Sequence, residues 1–77
     1  MKLVELIKQY AGTHRTDKAL LSYLETETKV AHFDPEVEIE NVTEEWFVRF
    51  GKFAGMKHVR NVKKVLKYFT IIVFQSK

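Results

Sequence analysis

Leu3, Leu6, Ile7 and Tyr10 occupy the i, i+3, i+4, i+7 stripe of an amphipathic helix, and Gly12 just beyond them is a natural C-terminal stop. A second helical pattern follows. Ala19, Leu20, Tyr23 and Leu24, then Val30 and Ala31, make a broad apolar face; Thr13 or Thr16 can cap it, and Asp17 suits its electropositive first turn. The expected span runs from about Thr16 to about Ala31. Between His32 and Val42 the pattern changes. Pro35 is followed by Val37 and Ile39 alternating with Glu36, Glu38 and Glu40, which predicts an extended acidic connector with its apolar side turned inward. A single extended run has no second strand signal to pair with, so no strand is expected there.

Thr43 is a good N-cap for a third helix, with Glu44 and Glu45 at its positive end and Val42 placed to staple against Phe47. Trp46, Phe47, Phe50 and Phe53 fall at helical spacing, which assigns them to the core. Gly51 allows close approach of a neighbouring helix, and Gly55 ends the element. A last helix begins near Lys57. It carries Val59, Val62, Val65, Leu66, Phe69, Ile72 and Val73 on one side, and Lys57, Arg60, Asn61, Lys63, Lys64 and Lys67 on the other. The segment from Tyr68 to Phe74 is β-branched and apolar enough to read as a strand, but continuity with the preceding period favours helix. The pattern therefore predicts an all-α four-helix bundle, with Leu20, Leu24, Trp46, Phe50, Val62, Leu66 and Phe69 in one core. Ile71 and Phe74 fall off the core stripe; one or both lie exposed at the end of the domain, or Phe74 folds back near Leu3 and Ile7.

With 77 residues and no cysteine the chain has room for one domain, residues 1–77, and its stability must come from apolar packing. Hydrophobic residues make up 45% of it and aromatic ones 13%, which argues against disorder. The opening MKLVELIKQY is interrupted by Glu5 and Lys8, unlike a signal peptide, and no run approaches the ~20 apolar residues that span a bilayer. A cytoplasmic protein with no membrane partner is expected.

Charge changes the picture more by distribution than by sum. Eight acids and one base, Lys29, lie between Glu25 and Glu45, whereas from Met56 onward Lys57, Arg60, Lys63, Lys64, Lys67 and Lys77 meet no acid. Lys57, Arg60, Lys64 and Lys67 recur at i, i+3, i+7 and i+10, forming one basic stripe pointing away from the core. Like charges at these spacings weaken a helix slightly, which favours an anionic partner.

Candidate chemistry is sparse. His14, His32 and His58 lack partners at metal-ligand spacing and read as exposed or helix-end imidazoles, so no metal or other cofactor is expected. Asp34 to Glu45 lacks the alternating oxygen ligands and central glycine of a calcium loop. No residue stands out as a catalytic nucleophile.

The run IENVTEEWFVRFGKFAGMKHVRNVKKVLKYF, an acidic connector, a Phe-rich helix, a glycine and a basic helix with an asparagine near its start, resembles the N-terminal core-binding domain of tyrosine recombinases, the SAM-like four-helix domain of phage and conjugative-transposon integrases. HRTDKALLSYLETE matches the second helix of that family in spacing. Met56 and Lys57 stand where the family usually has a small hydroxyl residue after the glycine. The resemblance implies that the second and fourth helices lie against double-stranded DNA, through Arg15, Thr16 and Lys18 and through Lys57, His58, Arg60, Asn61, Lys64 and Lys67. It further implies a monomeric, catalytically inert domain of a longer protein, whose recombinase chemistry belongs to a separate catalytic domain acting as its partner. The alternative expectation is a small helical protein-interaction domain with no nucleic-acid role.

Overall fold

The stripes resolve into four helices, α1 (Leu3–Thr13), α2 (Asp17–Phe33), α3 (Glu44–Ala54) and α4 (Met56–Gln75), packed as an all-α bundle. This computed structural model describes residues 1–13 and 17–75, with side chains over 1–13 and 18–70. Among the described residues there is no strand, only one antiparallel bridge between Lys2 and Glu38. None of the described helices is long and apolar enough to cross a membrane.

α1 runs one residue past Gly12, because the Thr13 hydroxyl donates to the Tyr10 carbonyl at 2.7 Å and satisfies an acceptor that the helix end would leave open. Thr13 thus closes α1; Thr16 lies outside the described residues. α2 continues beyond Ala31 to Phe33, whose ring packs at 5.7 Å from Trp46 and 5.6 Å from Phe50. Burial of this ring carries the helix two residues further than its aliphatic pattern.

The connector tucks Val37 inward as its alternation predicts. Its backbone finds a partner at the start of the chain: Leu3 N–H donates to Val37 O at 2.9 Å, and Ile39 N–H donates to Met1 O at 3.0 Å. Lys2 and Glu36 form an ion pair at 2.6 Å beside this bridge. Asp34 accepts from Trp46 Nε1 at 3.1 Å, which ties the connector to α3. A short 3-10 turn, Ile39–Asn41, then delivers the chain to Thr43, whose Oγ1 accepts from Trp46 N–H at 3.3 Å as the N-cap of α3.

The core joins Leu3, Leu6 and Ile7 of α1, Tyr23 and Val30 of α2, Trp46 and Phe50 of α3, and Val59, Val62 and Val65 of α4. Leu20, Leu66 and Phe69 pack against it half-buried, but Leu24 is 38% exposed, contrary to its expected core position. The buried stripe of α2 is Tyr23, polar Thr26 and Val30, with Phe33 half-buried beside it, so the helix faces inward about a quarter-turn or more away from Leu24. Phe53 is also corrected. It is 49% exposed, covering Phe33 from outside at 5.4 Å, while Trp46 and Phe50 stack inside at 4.8 Å.

A Cβ added at Gly51 would meet Val59 Cγ2 at 3.4 Å, the signature of the close α3–α4 approach. Gly55 joins these helices with φ 97° and ψ 163°, a conformation essentially restricted to glycine. Its N–H donates to Gly51 O at 2.9 Å, and its carbonyl accepts from Val59 N–H at 3.4 Å, so one residue ends α3 and starts α4. Gly55→Ala should therefore cost about 1–3 kcal/mol through backbone strain alone. No side chain crowds the site, so urea unfolding reads that strain directly; an unchanged midpoint would contradict it.

α4 is helical through Gln75, which settles the 68–74 segment as helix. The side chains of Ile71 and Phe74, expected exposed or folded back, lie outside the described residues.

Candidate nucleic-acid interface

At 100° per residue, Lys57 and Lys64 fall almost in line on α4, with Arg60 and Lys67 displaced by about 60–80° to one side and Asn61 by about 40° to the other. The structure follows that geometry. Lys57, Arg60, Lys64 and Lys67 are all exposed, whereas Asn61 is 8% exposed and packs against α2. Lys18 is exposed near the start of α2, and with Lys57, Lys64, Leu21 and Glu25 it lines one open groove between α2 and α4. Arg15 and Thr16 lie outside the described residues.

Three lysines against one glutamate leave this groove basic. The glutamate comes from α2, so the stripe that no acid interrupts along α4 meets one across the groove. Glu25 Oε2 lies 3.8 Å from Lys57 Nζ, with both side chains more than 60% exposed, a pairing of little worth that a bound anion can displace. Lys63 is set apart from the groove: its Nζ lies 5.2 Å above the Phe47 ring, on the α3 side.

His58 and Asn61, expected to face DNA, are turned inward instead. Asn61 Nδ2 donates to Ser22 Oγ and to Thr26 Oγ1, both at 2.9 Å. Thr26 Oγ1 is 3.0 Å from the Ser22 carbonyl, to which it donates, and 2.7 Å from His58 Nδ1. A hydroxyl has one proton. With it directed to Ser22, His58 must donate through Nδ1–H, which leaves Nε2 unprotonated. The network accounts for His58, only 7% exposed, as a structural link between α2 and α4; of the exposed or helix-end imidazole expected, the helix end holds, in the first turn of α4, and the exposure does not. The one legible sign of it is Ser22 and Thr26 at i, i+4 on the face that also carries Tyr23 and Val30.

Burial holds the His58 imidazole below its ordinary pKa, and Lys57 and Lys29 add to the effect against an opposing Glu25. The unfolded chain therefore binds a proton that the fold resists, and stability is full above about pH 6.5 and falls as pH drops toward the lowered folded value. Urea midpoints at pH 7.5 and 5 should show this loss. His58→Asn, which keeps a donor toward Thr26 and does not titrate, should reduce it; an equal loss in the variant would assign the acid sensitivity elsewhere.

Among the described residues no three histidine, aspartate or glutamate side chains converge as metal ligands. No family model, curated protein or solved structure matches this chain.

Proposed function

We propose that the α2–α4 face binds double-stranded DNA, and that the chain is the core-binding module of a tyrosine recombinase of the phage or conjugative-transposon kind. In this reading the domain acts in the cytoplasm, is monomeric by itself and does no chemistry. Strand cleavage belongs to a catalytic domain elsewhere in the protein. The observation that carries the reading is the meeting of Lys18 from α2 with Lys57 and Lys64 from α4 around one groove, with Arg60 and Lys67 exposed alongside. Side chains of this kind neutralise phosphates, which position a protein on the duplex without reading its sequence.

Five such cations predict a micromolar or weaker affinity and a steep salt dependence, with log K falling about 4 to 5 per unit of log salt concentration. Titration of a fluorescent duplex at several salt concentrations measures this. The apolar lip of the groove, where Leu21 is 61% exposed, favours one competing reading, an acidic segment of another protein. Tighter binding to polyglutamate than to duplex DNA would give the groove to that partner, and equal affinity would leave that reading open.

A further inference from the structure

We propose that DNA binding in the α2–α4 groove is coupled to uptake of a proton by His58, so that the protein grips duplex DNA more tightly as pH falls from about 7.5 to 5.5. The inference rests on the DNA reading of that groove and adds its regulation. Its basis is the connection between the imidazole and the groove wall. His58 Nδ1 is 2.7 Å from Thr26 Oγ1, which is 2.9 Å from Asn61 Nδ2, and Asn61 and Ser22 line the groove together with Lys57, the residue next to His58. A charge arriving on the ring sits directly behind an anion-binding surface.

The proton has a place to land. No buried side-chain nitrogen or oxygen among the described residues lacks a hydrogen-bond partner, so Nε2, which makes no bond, retains contact with solvent. Protonation there keeps the Nδ1–H donor to Thr26 intact and adds one positive charge at the α2–α4 seam. The proton comes from bulk water and stays on the ring while the duplex is bound.

Two opposing effects decide the sign. Covering the groove with DNA removes water, which disfavours a charged imidazole, but the ring is already only 7% exposed and has little hydration left to lose. Phosphates bring negative charge to the groove and neutralise Lys57, one of the charges that lower the His58 pKa. Lys29 on α2 does not line the groove, and Glu25, the facing acid, already acts in favour of the proton. The electrostatic gain therefore exceeds the desolvation loss, and by linkage the group that gains affinity for protons on binding DNA strengthens DNA binding in acid.

The separating feature is the opposite sign of two measurements on one residue. Acid weakens the fold through His58 yet tightens the complex through the same ring, which a purely structural histidine would not do. The test uses the full chain carrying His14→Gln and His32→Gln, leaving His58 as the one histidine of three, with circular dichroism confirming the fold at each pH. At constant salt the dissociation constant for a duplex should fall threefold to tenfold between pH 7.5 and 5.5, and the His58 ring resonances should titrate at higher pH in the complex than in the free protein. Adding His58→Asn should remove the pH dependence of binding, and Glu25→Gln should leave it in place. DNA binding with equal affinity at both pH values, or a His58 midpoint unmoved or lowered by DNA, overturns the proton coupling and leaves the DNA reading standing. Absence of binding at either pH in low salt overturns both.

Discussion

Phe50→Ala should remove about 3–5 kcal/mol of stability, against the roughly 4–12 expected for a domain of this length. Phe50 is fully buried, stacked on Trp46 at 4.8 Å with 22° between the rings, and flanked by Phe33 at 5.6 Å. Alanine would leave a void at the point where α2 and α3 meet, and the surrounding rings are too large to collapse into it without leaving their rotamers. Urea unfolding followed by the fluorescence of Trp46, the single tryptophan, reads the loss directly. Phe53→Ala, on the same helix but half-exposed, should cost markedly less. Equal effects of the two substitutions would mean that α3 is rotated from the position described.

Replacing Arg60, Lys64 and Lys67 together by alanine should bring affinity for duplex DNA below detection at about 150 mM salt, because three phosphate contacts are removed and the salt slope falls by about 2.7. All three side chains are exposed, and relief of like-charge repulsion along α4 offsets their lost contacts, so the unfolding free energy should stay within about 0.5 kcal/mol of the parent. Lys63→Ala supplies the control. It removes one positive charge from the same helix, but from above the Phe47 ring, and should retain most of the binding. Loss of binding in the Lys63 variant as large as that of Lys64→Ala alone would show that net charge, and not the α2–α4 face, governs the interaction.

Local signals in the chain were sufficient for the elements themselves. Thr43 and Gly55 mark the limits of α3 because capping is a contact within one turn and needs no partner from elsewhere. The period of Val59, Val62 and Val65 placed the buried face of α4, and the alternation around Val37 placed an inward-facing connector, because each pattern is a direct record of burial. The same record carried the basic stripe: Lys57, Arg60, Lys64 and Lys67 are exposed as their spacing predicts. Sequence alone thus determined an all-α bundle, most of its core and the positive side of its last helix.

The tertiary structure decided what depends on two helices at once. A polar side chain in a single helix is read as solvent-facing, and only the approach of α4 to α2 turns Thr26, His58 and Asn61 into mutual partners, satisfying in the interior groups that would otherwise need water. That same polar stripe rotates α2 and leaves Leu24 outside. The pairing of the connector with residues 1–3, the acid that Glu25 sets against Lys57, and the groove shared by Lys18 and Lys64 are likewise contacts between residues distant in sequence. Periodicity reports which side of an element is buried, since burial selects residue type position by position. It carries no term for the rotation and register of one element against another, which are set by how the side chains of both fill the space between them.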